Sequence, residues 1–285
     1  MAIDSLYGAY LKATAPYQFY TVLLKLYTDK GNKTKLALII EEMKRYAGIT
    51  LIAGRFGEDN RDWFFNSENH TISQSLSSIK FMNKTASRDL YLAGQQSFAT
   101  FTDLLRHLQM HTKIDTRQVG LLIDLNYFAS FGRRKKLTCI AKEFYEGPNK
   151  LTKTIKSYEK RLEALRQLEA SLPDEELPID QIVKAEHDLV GLCLSSDGDA
   201  ESNLYFVEEL DDKYRVVMKL YSLRRGTSGQ MRISKSNYAS CPVRCGQIIA
   251  LHAWKSSPKY AYRNGKRVVV EGEQELWAKH YEVVA

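Results

Sequence analysis

Apolar residues recur at helical spacing from residue 6 to 27, and Pro16 within that run predicts a break between two helices, since its ring cannot continue a helix. A third helix is predicted over 33–46, burying Leu36, Ile39, Ile40 and Met43 and stopping at Gly48. The period then shortens, and residues 49–52 and 62–65 read as brief strands bounded by Gly57 and a polar turn at 66–69. The stretch 72–132 organises the rest: a short helix end, a tight turn at Met82-Asn83, a second helix with Ala86 and Leu90 on its apolar side, then further helical signatures. Another helix runs toward Tyr145, and Gly147-Pro148 breaks it. Leu151, Ile155, Tyr158, Leu162 and Leu165 alternate steps of four and three, which predicts one long amphipathic helix to about Leu168.

The acidic, proline-bounded run 173–178 reads as a linker, followed by a helix from Ile179 to about Leu192. From Leu204 the pattern turns to strands at 205–207, 214–223, 230–234, 247–254, 266–270 and 277–283, with turns at Gly226, Gly229, Gly246, Gly265 and Gly272. Helices first and strands afterwards make an α+β chain, with a mostly helical N-terminal part and a small C-terminal β-barrel. The boundaries read as 1–70, 71–147, 148–202 and 203–285.

Charge sharpens this division. Of the formal +7, the segment from Asn203 to Ala285 carries 14 Lys and Arg against 8 Asp and Glu, leaving 27 against 26 elsewhere. A basic surplus confined to one part points to a polyanion such as nucleic acid. Four scattered cysteines do not make a secreted disulfide framework, so a reducing cytoplasm is the expected compartment. Cys241 and Cys245 have no second Cys/His pair at zinc spacing, and His107 and His111 lack the Glu of a metalloprotease helix. No apolar run approaches ~18 residues, so no membrane partner is expected.

Three groups of residues are candidates for chemistry. The turn at Lys80, Met82, Asn83, Lys84 and Arg88 places a helix N-terminus among cations, where amides and the helix dipole favour a phosphate; a plain helical turn explains the same residues. Arg133, Arg134, Lys135 and Lys136 open a helix, where cations oppose the dipole; a phosphate contact and a solvated cluster both account for them. In the strand region Lys219, Tyr221, Arg224, Arg225, Arg232, Trp254, Lys259, Tyr260, Tyr262, Arg263 and Arg267 mix cations with aromatic faces, as single-strand binders do, although Trp254 fits a core equally well. Asp197 and Asp199 resemble a metal-holding pair, but they fall in a glycine-containing loop and read as turn residues.

An ordered series of segments resembles the C-family bacterial replicative polymerases, the DNA polymerase III alpha subunits. Tyr7-Gly8-Ala9-Tyr10-Leu11-Lys12, followed by Pro16-Tyr17-Gln18-Phe19, looks like the family's fingers helix, and the resemblance begins inside that helix. Ser78-Ile79-Lys80 sits where its Ile-Lys-Gly hairpin begins. Phe98-Ala99-Thr100-Phe101-Thr102-Asp103 is similar to its Phe-x-x-Phe-x-Asp signature, and Leu121-Leu122-Ile123 through Phe131-Gly132 to its Leu-Ile-x-x-Gly-Ala-Phe segment. Glu186 to Ser195 resembles the approach to its OB domain.

The resemblance implies distal fingers, a helix-hairpin-helix module and an OB-like domain, without the catalytic palm. It implies binding of single-stranded and template-primer DNA during replication, no activity in this chain alone, no cofactor here, and Mg only in the missing palm. The rest of the polymerase is the implied partner, together with a sliding clamp, whose binding peptide is faintly echoed at Gln167-Leu168-Glu169-Ala170-Ser171-Leu172. Phe81 departs from the family's Gly, leaving Asn83 as the residue expected to take positive φ. A protein-binding scaffold or adaptor of a replication complex, and a free-standing single-strand binder, are the alternatives.

Overall fold

The computed structural model describes residues 2–152, 157–263 and 266–284, without the side chains of 2–5, 33, 34, 261–263, 266, 267 and 271. The chain is α+β and gathers into two compact units, Met1–Leu177 with Leu189–Gly191, and Pro178–Asp188 with Leu192–Ala285. Among the described residues no helix is long and apolar enough to cross a membrane.

The first unit opens with α1 (Ala2–Thr14) and α2 (Pro16–Asp29), with Pro16 at the first position of α2, where its missing N–H costs no hydrogen bond. Asn32 caps α3 (Lys33–Glu42) by accepting from the Lys35 amide at 3.1 Å, and the helix loosens into a π turn at Met43–Ala47. A three-stranded sheet follows, β1 (Thr50–Ile52), β2 (Phe64–Asn66) and β3 (Thr71–Ser73). Its order is β1-β3-β2, with β3 parallel to β1 and antiparallel to β2. The central strand β3 has no sequence signature, because Thr71-Ile72-Ser73 holds one apolar residue between two polar ones and lacks the apolar run of Leu51-Ile52 or Trp63-Phe64-Phe65.

A 3₁₀ turn at Leu76–Ser78 leads to α4 (Lys84–Gly94), α5 (Phe101–His111), α6 (Thr116–Asp124), α7 (Arg134–Tyr145) and α8 (Tyr158–Ser171). Asn83, Thr100 and Asp115 cap α4, α5 and α6, and Asp115 with Gln118 forms a reciprocal capping box. The core between these helices includes Leu90, Phe101, Leu104, Leu105, Leu122 and Phe128, each at most 1% exposed, and each buried side chain contributes about 1.5–3 kcal/mol. Gly94 lets α4 lie against the backbone of Gly57, since a Cβ there would stand 3.0 Å from the Gly57 Cα. The long helix expected from Leu151 does not begin there: Leu151 is buried outside any helix, α8 spans Tyr158–Ser171, and Ile155 lies outside the described residues.

The second unit contains α9 (Ile179–Val190) through Asp188, then β4 (Leu204–Asp211), β5 (Val216–Ser222), β6 (Ser228–Ile233), α10 (Lys235–Ser240), β7 (Ile248–Arg263) and β8 (Lys266–Val283). The strands close into a barrel of order β4-β5-β6-β8-β7, with β6 and β8 parallel at Arg232–Trp277 and Ile233–Ala278. Val207, Met218, Val243 and Ile249 fill it. A second cluster joins Val183 of α9 to Phe206, Tyr221, Leu223 and Ile248.

Two sequence expectations need correction here. The predicted strands 266–270 and 277–283 are halves of the single strand β8, and Gly272 (φ +77) takes up a register shift opposite Pro258 and Tyr260 instead of making a turn. Gly229 lies inside β6. The short helix α10, capped by Ser234, had no periodic signature to announce it.

Candidate nucleic-acid interface

At the hairpin the strained backbone is not where it was expected. Phe81 itself stands at φ +69, while Asn83 is extended at φ −139 and uses its side chain to accept from the Ala86 amide at 2.8 Å. The cap fixes Asn83 in the β region, so the left-handed turn falls on the position before Met82. The Phe81 carbonyl accepts from Gln118 Nε2 at 3.2 Å, and the half-exposed ring lies 3.6 Å from the Arg117 guanidinium carbon and 5.2 Å from Lys80 Nζ. Two of the turn's amides are already taken: Lys80 donates to the Leu189 carbonyl and Met82 to that of Ile79. The Met82 side chain belongs to the core, whereas Lys80, Lys84 and Arg88 are exposed.

The basic cluster at α7 meets the segment read as an acidic linker. The Arg133 amide donates to Asp174 Oδ1 at 2.7 Å, and Lys135 Nζ pairs with Glu175. Glu175 raises the Lys135 pKa, chiefly through that hydrogen bond. Arg134 is buried, donating to the Asp124 carbonyl at 3.0 Å and standing 3.3 Å from Glu176. Burial raises the neighbouring Asp124 carboxyl against the opposing pull of Arg134. The helix N-terminus thus already holds a carboxylate, and three of the four residues spend a donor on the acidic run. Lys136 is half-buried beside Gly132. The run 167–172 also differs from a docking peptide, because it forms the end of α8 with Glu169 buried.

In the barrel the predicted residues divide. Tyr221 is buried with its hydroxyl on the Ser195 carbonyl at 2.9 Å, and burial pushes its pKa far up, so it packs and does not stack on a ligand. Lys219 stands 3.4 Å from the buried Glu208 and 3.7 Å from Glu209, and Lys259 pairs with Glu273. Arg224 and Arg225 are exposed in the turn after β5, and Trp254 is 58% exposed, which excludes it from the core. The side chains of Tyr262, Arg263 and Arg267 lie outside the described residues. Asp197 Oδ1 accepts from the Asp199 amide, a closed turn of the kind expected.

What the fold brings together is a hollow of about 270 Å³ walled by Arg215, Arg232, Tyr260, Glu275 and Trp277. Arg232 Nη1 is 2.6 Å from Glu275 Oε2, and its guanidinium carbon lies 5.7 Å from the Trp277 ring. Tyr260 is 37% exposed, and Arg215 has no ion-pair partner among the described residues. Arg215, Glu275 and Trp277 escaped the sequence reading. Strand alternation puts Glu275 and Trp277 on one face, but a continuous β8 is needed for that signal to appear, and the parallel pairing with Arg232 is not local at all.

Among the described residues no three His, Cys, Asp or Glu side chains gather as a metal site. The chain matches no protein-family model, and no curated protein is similar to it.

Proposed function

We propose that this chain handles DNA as the C-terminal region of a DNA polymerase III alpha-like replicative polymerase, gripping single-stranded template with its barrel and contributing no chemistry of its own. The observation that carries the reading is the hollow beside β6 and β8, where Arg215 stands with the rings of Tyr260 and Trp277 on one barrel face, Arg232 being paired with Glu275 in its wall. Such a mixture binds single strands, the cations through phosphates and the rings through bases. The strand order β4-β5-β6-β8-β7, the parallel β6–β8 contact and a helix between β6 and β7 support an OB-like assignment. In OB folds the face of the second and third strands and the two adjoining loops receive oligonucleotides. Arg215, next to the β4–β5 turn, and Tyr260, in the β7–β8 ribbon, match those places. The capped α4 turn with Lys80, Lys84 and Arg88 supports a helix-hairpin-helix contact to duplex, with the Lys84 and Thr85 amides, which the Asn83 cap leaves over, as phosphate donors.

A second reading, a protein-binding scaffold, is favoured by the apolar positions left open on the N-terminal helices, among them Leu6, Val22 and Leu38 at 61–74% exposure. Titrating a labelled single-stranded oligonucleotide against rising salt separates the two. The DNA reading expects affinity to fall steeply with salt, and Trp277→Ala or Arg215→Ala to weaken binding about 5- to 100-fold. Binding that is absent at low salt, or indifferent to both variants, would overturn it.

A further inference from the structure

We propose that the hollow selects the base it holds, preferring guanine, through the carboxylate of Glu275; this rests on the single-strand reading of the barrel. Rings and arginines alone would be blind to sequence, because every base has a stacking face and every nucleotide a phosphate. Glu275 is the group that breaks this indifference. Its side chain is 10% exposed, and only Oε2 is engaged, by Arg232 at 2.6 Å. Oε1 has neither a hydrogen-bond partner nor measurable contact with water. Ser257, directly opposite Glu275 in the β7–β8 ladder, lines the same hollow without bonding to Oε1.

A buried acceptor without a donor is costly, so a ligand that supplies one offsets a cost the fold already carries at Glu275. The four bases differ in what they supply. Guanine presents two adjacent N–H donors on its pairing edge, matching a carboxylate, and on its other edge two acceptors that suit an arginine. Arg215, which pairs with no carboxylate among the described residues, stands on the same hollow to meet them. Adenine and cytosine bring one amine each. Thymine brings a single N–H flanked by two carbonyls, which repel the carboxylate. A volume of about 270 Å³ lies just under the ~300 Å³ at which small-molecule sites begin, which suits one base better than two. Because Oε1 is covered, a base reaches it only if the lining side chains move aside.

The test uses the full chain and four labelled oligonucleotides, one of thymine only and three carrying a single central guanine, adenine or cytosine. The expected result is that the guanine strand binds at least ~5-fold tighter than the thymine strand, with adenine and cytosine between. Glu275→Gln should bring the guanine-to-thymine ratio close to one, and Glu275→Asp, which keeps the charge beside Arg232 but withdraws the carboxylate by one methylene, should reduce it; thermal melts verify that both variants are folded. Equal binding of all four strands by the native chain, or a ratio that survives Glu275→Gln, overturns the base-selection proposal while leaving single-strand binding in place. No binding of any strand at low salt instead removes the single-strand reading, and the proposal with it.

Discussion

The Glu169 carboxylate of α8 accepts both the backbone amide of Thr102, at 2.9 Å, and the Thr102 hydroxyl, at 2.6 Å, and it also takes the Phe101 amide at 2.7 Å. A buried acid therefore satisfies the otherwise orphaned first-turn donors of α5 and faces the positive end of its dipole. Glu169→Ala leaves these groups unsatisfied and is expected to lower stability by about 2–4 kcal/mol, with Glu169→Gln losing less because one oxygen remains. Urea unfolding at neutral pH checks this; a loss under ~1 kcal/mol for the Ala variant would refute it.

Phe81 pays the cost of left-handed backbone, about 1–2 kcal/mol for a residue with a Cβ, against the ~0.5–1 kcal/mol gained from Arg117 over its ring. Phe81→Gly is accordingly expected to hold or slightly raise thermal stability and to strengthen duplex binding by admitting the DNA backbone. Phe81→Val, branched at Cβ and without the ring, should destabilise by ~1–2 kcal/mol. Melts and duplex titration of both variants decide the matter, and a Val variant as stable as the native chain contradicts the strain argument.

Asn83→Val acts through a different cause from the one its sequence suggests. The residue is already extended, so a β-branched side chain fits the backbone, and what is lost is the bond to the Ala86 amide. The expected cost is ~1 kcal/mol, with Asn83→Asp nearly neutral. Comparison of the two midpoints in urea tests the cap directly.

Arg134 and Lys136 adjoin in sequence but should behave unlike each other. Arg134→Ala strands the Asp124 carbonyl and the Glu176 carboxylate and is expected to destabilise by ~2–4 kcal/mol, whereas Lys136→Ala should stay within ~0.5 kcal/mol. Equal effects in thermal melts would show that the acidic run does not hold the helix start.

Acid should weaken the N-terminal helices. Glu42 is held below its usual range, first by the hydrogen bond from Lys12 and then by that from Tyr20. A lowered folded pKa gives stability that is present above the unfolded value and lost as pH falls through the folded one. Lys12 is raised by the same partner, so its share is present below the ordinary lysine pKa and fades as pH rises through the folded value. The pair is solvent-exposed, so Glu42→Gln should cost under ~1 kcal/mol at neutral pH and flatten the acid limb of a stability–pH curve. An unchanged limb counts against the pairing.

Local order was written in the sequence wherever a period ran long enough to be read. The helices of the N-terminal part, the strands from Leu204 onward, the stop at Gly48 and the loop at Asp197 each follow from neighbouring residues. The barrel's closing order, the parallel contact of Arg232 with Trp277 and the merging of two short strands into β8 depend on partners tens of residues away. No local preference encodes such pairings, because the hydrogen bonds that decide them exist only once the sheet has closed. Charge behaved in the same way. Counting cations located a basic half of the chain, but only folding separated Arg134, consumed by Glu176, and Tyr221, consumed by the core, from Arg215 and Trp277, which the barrel leaves facing one hollow. Composition sets how much charge and ring surface a chain carries, and tertiary contacts set how much of it remains to meet a partner.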